Sequence, residues 1–153
     1  MFGRTRPLIN PNPPPDIRTE PLYHELFFSN LDIKYRVLQE IMTLIETEKC
    51  LTDESRKVHV RVALDEALVN AVRHGNGDDQ NKRVEVTIWK EATGCRFRIT
   101  DQGAGFAESD IPDLENPDNM LLDHGRGIAY MHAFFNDVQF YSGGRTLELF
   151  LNA

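Results

Sequence analysis

The chain has 153 residues, 41% hydrophobic and 27% charged, the size and composition of one soluble folded unit and short for two. No apolar run approaches the roughly 18 residues of a membrane-spanning helix. Arg4 and Arg6 have no apolar segment behind them that would read as a secretory signal, so the cytoplasm is the expected compartment. Seventeen basic against 24 acidic residues give a net charge of −7, which opposes non-specific association with nucleic acid or anionic lipid and favours a neutral or basic protein partner.

Six of the eight prolines fall between Pro7 and Pro21, so residues 1–21 read as an extended arm, a spacer or a partner-docking segment, and the folded domain as 22–153. Tyr23 to Ser29 is an aromatic-rich first strand. Ser29 or Asn30 then caps a helix whose Ile33, Val37, Ile41, Leu44 and Ile45 form one apolar stripe. Thr52 or Asp53 caps a second helix running to about His74, with Val58, Val62, Leu68, Val69 and Val72 as expected core contacts and Gly75-Asn76-Gly77 as its stop.

The period then changes. Val84, Val86 and Ile88 alternate with Glu85, Thr87 and Trp89, and after a turn at Glu91 to Gly94, Cys95, Phe97 and Ile99 alternate with Arg96, Arg98 and Thr100. This is a hairpin with one buried face. Residues 107–124 are acidic and aperiodic, a pattern common in functional lids. A third helix is expected from Arg126 to about Phe135, and a second hairpin around Ser142 to Arg145. The pattern predicts an α+β two-layer sandwich, with helices on one face of a mixed, mostly antiparallel sheet. Cys50 and Cys95 lack CxxC spacing and read as reduced, packed thiols.

Three constellations carry chemistry. Glu66, Asn70 and His74 stand at i, i+4 and i+8, one helical face on which an amide oxygen suits Mg²⁺ and a carboxylate can take a proton. A solvated polar face has the same spacing. Asp101-Gln-Gly103-Ala-Gly105-Phe106 follows a strand; its glycines admit a flat ligand, and its carboxylate can accept from an exocyclic amine, although a tight turn reads alike. His124-Gly125-Arg126-Gly127 opens a helix, where exposed N–H groups and a guanidinium favour an anion or simply make a Gly-rich helix start. A third glycine for a dinucleotide loop is missing, since Glu108 stands in its place, and no Walker A loop is present.

Together, the ExxxN helix, the DxGxG strand end, the GRG helix start and a last strand opening with Thr146 resemble the N, G1 and G2 boxes of the GHKL (Bergerat) ATPases. The string Asp65 to Gly75 in a short single domain looks most like the anti-sigma factor serine kinases. The resemblance implies ATP and Mg²⁺ as cofactors, Glu66 as catalytic base and Asn70 as metal ligand, with His74 beside them on the same face. It further implies Asp101 as adenine contact assisted by Thr146, Gly103 and Gly105 as the adenine-side loop, and Gly125, Arg126 and Gly127 at the phosphates. It also implies a homodimer that holds a sigma factor and phosphorylates a protein antagonist. The alternatives are an ATP-binding interaction module without phosphotransfer, and a non-nucleotide domain whose glycines only make turns.

Overall fold

The computed structural model describes residues 8–110 and 126–153. Among them five strands and three α-helices form two layers: β1 (Tyr23–Phe28), α1 (Leu31–Thr47), α2 (Glu54–Val69), β2 (Arg83–Lys90), β3 (Gly94–Thr100), α3 (Arg126–Phe134), β4 (Asp137–Tyr141) and β5 (Thr146–Asn152). Strand order is β1-β2-β3-β5-β4, and every neighbouring pair is antiparallel. Among the described residues the parallel component is a single isolated bridge, Ile9 with Phe140.

Local chemistry accounts for the element ends. Asn30, not Ser29, caps α1 by accepting from the N–H groups of Asp32 and Ile33 at 2.8 and 3.0 Å, and Asp53 caps α2 through Ser55 N–H. Val37, Leu38, Ile41 and Ile45 of α1 are buried, each worth about 1.5–3 kcal/mol of apolar transfer. They meet Val84, Val86 and Ile88 of β2 and Leu147, Leu149 and Leu151 of β5 in one core.

Three expectations need correction. Val58 and Val62 are exposed, at 66% and 38%; the buried stripe of α2 is instead Val60, Ala63, Leu64, Ala67 and Leu68. Two of its five members are alanines, which weakens the period of large aliphatics that marks a buried stripe. Second, α2 does not run as regular helix to His74. It widens at Asn70–Gly75 into a π-helical turn, with Asn76 N–H bonding the Ala71 carbonyl five residues back, a feature frequent at functional sites. Third, Cys50 and Cys95 are joined in a disulfide with a Cα–Cα distance of 5.5 Å. They come from the loop after α1 and the start of β3, 45 residues apart, so the pairing arises from tertiary packing and has no spacing signature. Both are fully buried, which shields the sulfurs from thiolate attack.

The outer face of the sheet is also covered. Trp89 and Glu148 alternate with core residues and so point away from the helices, yet they are only 5% and 4% exposed. Arg98, on the same face, bonds Glu148 Oε2 at 2.7 Å and donates to the carbonyl of Pro15 at 2.8 Å. The Pro-rich arm therefore crosses this face on its way from β4 to β1. Most of the expected lid, together with Gly125, lies outside the described residues.

Candidate functional site

The site is built where α2 loses regular helical geometry. Ala67, Asn70, Ala71, His74 and Gly75 form one wall of a cavity of about 280 Å³; Ile99, Asp101, Gly105, Phe106 and Asp110 form the second, and Ile128, Phe140, Gly144, Arg145 and Leu147 close it. This is near the lower end for small-ligand pockets, and its lining has the expected apolar character with a few polar groups. The N-terminal turn of α3, the widened end of α2 and the loop after β3 thus converge.

Glycines make the convergence possible. A Cβ on Gly75 would stand 2.2 Å from Asp101 Oδ2, and one on Gly103 would stand 1.9 Å from the Gly75 carbonyl. The two backbones approach at a distance that excludes any side chain. Gly105 has φ +79° and its Cβ would meet the Gly143 carbonyl at 2.1 Å, so both conformation and space require glycine.

Asp101 is a half-buried carboxylate of the cavity lining. Its Oδ1 accepts from Gly103 N–H at 2.8 Å, and its own N–H donates to Arg145 O at 2.9 Å. Burial lifts its carboxyl above the ordinary 3.8, against the opposing pull of the Gly103 N–H, Arg145 and Lys82. Oδ2, turned toward Gly75, remains available to accept from a ligand amine.

Asn70, His74, Asp101 and Gly105 line the cavity. Glu66 sits beside it: a Cβ on Gly127 would lie 2.9 Å from Glu66 Oε2 and 3.5 Å from the Asn70 amide nitrogen. Glu66, Asn70 and Gly127 therefore pack together where α2 meets α3, and Gly127 is buried. Gly103 supports the loop from behind. Thr146 is buried and pairs with Thr100 through their hydroxyls at 3.1 Å. Both point to the sheet face opposite Leu147, so Thr146 does not line the cavity. Arg126 is the first residue of α3.

Several contributors were not singled out from sequence. Phe106 packs edge-on against Phe140 at 5.0 Å and, with Ile128 and Leu147, gives the cavity its apolar walls. Arg145 brings a cation to its lining. Asn76 is 2% exposed and bonds three segments at once. Its Nδ2 donates to Ser29 Oγ at 2.7 Å and Arg83 O at 2.9 Å, and its Oδ1 accepts from Gln102 N–H at 2.7 Å. It fixes the residue after Asp101 to the end of the π turn. An Asn between two glycines reads as a helix stop, which conceals this role.

A family profile described as histidine kinase-like ATPase domain matches residues 29–151, more than half of the chain. The chain belongs to that family. It is an ATP-binding module of the GHKL type, and the cavity lies where the end of α2, the loop after β3 and the start of α3 meet. No curated protein matches the sequence closely. Among the described residues no helix is long and apolar enough to cross a membrane.

The donor set is compatible with Mg²⁺. Among the described residues no cluster of three or more His, Cys, Asp or Glu is placed to hold a metal, and Mg²⁺ commonly takes few protein ligands, with substrate phosphates and waters completing its shell. The amide oxygen of Asn70, with Glu66 close by, meets that pattern.

Proposed function

We propose that the chain is an ATP-dependent serine/threonine protein kinase that acts as an anti-sigma factor: it binds a sigma factor and phosphorylates a protein antagonist in the cytoplasm. The observation that supports this reading is the packing of Glu66, Asn70 and Gly127 into one junction beside the cavity that Asp101 and Gly105 line. A carboxylate, an amide oxygen and a helix N-terminus stand together there, next to an adenine-sized apolar slot.

In this reading Asp101 accepts from the exocyclic amine of adenine, and Phe106, Ile128 and Leu147 enclose the ring. Gly103 and Gly105 shape the loop, and Thr146 steadies the end of β3 through Thr100. Gly125, Arg126 and Gly127 are assigned to phosphate binding by the family resemblance, with backbone N–H groups and a guanidinium as the chemistry that would neutralise charge. Asn70 would hold Mg²⁺, which would supply charge neutralisation to the phosphates, and His74 borders the same region. Glu66 accepts the proton of the attacking serine or threonine hydroxyl as its oxygen bonds the γ-phosphorus and the bond to ADP breaks. Catalysis is mostly positioning and electrostatics.

A homodimer is part of the proposal. Among the described residues β1 pairs only with β2, and Leu26, Phe28, Leu31 and Tyr35 nearby are 40–54% exposed, a surface suited to a second copy.

Incubation with labelled ATP, Mg²⁺ and candidate antagonists tests the reading. Transfer that is lost in Glu66→Ala and in Asn70→Ala supports it. One observation favours a second reading, an ATP-binding interaction module without phosphotransfer: Glu66 packs against α3 and is not part of the cavity lining. ATP binding with no phosphoprotein, unchanged by Glu66→Ala, selects that module.

A further inference from the structure

The Pro-rich arm touches two walls of the cavity. Ile9 bridges Phe140 in parallel, Asn10 N–H donates to Phe140 O at 2.9 Å, and Phe140 N–H donates to Leu8 O at 3.3 Å. The same few residues hold the turn between β4 and β5. Ser142 N–H donates to Asn12 O at 2.8 Å and Gly143 N–H to Asn10 O at 3.2 Å. That turn carries Gly144 and Arg145, which line the cavity.

At its other side the arm grips the segment after Gly105. Leu8 N–H and Ile9 N–H both donate to Glu108 Oε1, at 2.5 and 3.3 Å. Glu108 opens the short turn Glu108–Asp110, and Phe106 and Asp110 line the cavity. The two walls also meet directly, through Phe106 N–H donating to Gly143 O at 2.9 Å. The arm thus closes a ring of contacts around the end of the cavity where Asp101 sits.

Its composition limits how firmly it binds. Pro11, Pro13, Pro14 and Pro15 lack N–H groups, so past the bridge the arm mainly accepts bonds and donates few, and the bonds to Glu108 are exposed. Ile9, packed partly buried against the core, is its apolar anchor.

We propose that residues 8–12 are a brace for the adenine-side walls of the cavity, with Glu108 as the positioning residue that receives it, so that arm docking and nucleotide affinity are coupled. The coupling rests on the ATP reading above; the bracing of Phe106 does not. Because coupling is reciprocal, bound nucleotide must tighten the arm by the factor by which the arm tightens nucleotide.

The test uses the full chain with Ile9→Asp, which removes the anchor, and Glu108→Ala, which removes the acceptor. Amide exchange at Phe140, Ser142 and Gly143 reports arm docking, exchange at Phe106 reports the wall, and calorimetry with ATP reports affinity. Both variants are expected to speed exchange at all four amides and to weaken ATP about tenfold, in the range of ordinary coupling. Saturating ATP on the unaltered chain is expected to slow the three arm-facing amides. Faster exchange at those three with Phe106 and ATP affinity unchanged overturns the proposal, and so does unchanged exchange at all three in both variants. If the unaltered chain binds no ATP, the nucleotide reading falls alone. Phe106 exchange in Ile9→Asp then decides the brace: a rise supports it and no rise overturns it.

Discussion

Replacing Asn76 by alanine removes a buried side chain that ties the end of β1, the start of β2 and the loop after Asp101 into one unit. Ser29 is 2% exposed, so its hydroxyl loses its partner where water cannot replace it. Arg83 and Gln102 are exposed residues, and their backbone groups recover part of the loss by hydration. One buried unsatisfied group at about 1–3 kcal/mol, plus two partly compensated bonds at about 0.5 kcal/mol each, gives about 3 kcal/mol. For a domain of this size that lowers Tm by roughly 6–12 °C. Urea denaturation is the assay: the midpoint should fall with the slope m unchanged. Because Gln102 N–H is released, ATP affinity should fall as well. A midpoint shift equivalent to less than about 1 kcal/mol would show that these three bonds do not hold the loop and would refute the reasoning.

Gly75→Ala places a methyl 2.2 Å from Asp101 Oδ2, so the carboxylate must rotate away; ATP affinity is expected to fall at least about tenfold, about 1.4 kcal/mol, and an unchanged affinity in calorimetry counts against Asp101 as the base-reading group. Asp101 gives a pH signature: burial raises its pKa above 3.8, so the folded state holds the proton more tightly than the unfolded one. Its contribution to stability is therefore greatest at low pH and is lost as pH rises through the raised value. Ligand binding runs the other way, because the ionised form is the better acceptor: affinity should fall as pH drops through that value, and Asp101→Asn should flatten the profile. An unaltered profile in the variant would assign the titration elsewhere. Reducing the Cys50–Cys95 bond, which spans 45 residues, should cost about 4 kcal/mol of stability on the chain-entropy model; a urea midpoint unchanged by reductant would exclude a stabilising disulfide.

The features legible in the sequence were those with short-range physics. Alternation in 84–89 and 95–100 gave the central hairpin, and the Ile33 to Ile45 stripe gave α1, because period and burial coincide in those elements. The Asp101 to Gly105 loop was readable because closely spaced glycines after a strand have few purposes. Three things were not readable. The stripe of α2 interleaves Ala63 and Ala67 with Val60, Leu64 and Leu68, which dilutes the large-aliphatic period, while Val58 and Val62 imitate it on the exposed side. The pairing of Cys50 with Cys95 and the docking of Leu8 to Asn12 on β4 join residues far apart in sequence, and no local pattern encodes them. The π turn at Asn70–Gly75 is followed by Asn76, whose bonds reach residues 29, 83 and 102, long-range partners that no local pattern announces. Glu66, Asn70 and His74 were expected on one face; the widened turn leaves Asn70 and His74 on the cavity and Glu66 against Gly127.

The most direct measurement is calorimetric titration of the full chain with Mg²⁺ and either ATP or ITP, which lacks the exocyclic amine that Asp101 is placed to receive. The account predicts that ATP binds at least about tenfold more tightly, about 1.4 kcal/mol, and that Asp101→Ala removes the difference. Equal binding of the two nucleotides, or no binding of ATP at millimolar concentration, would contradict it.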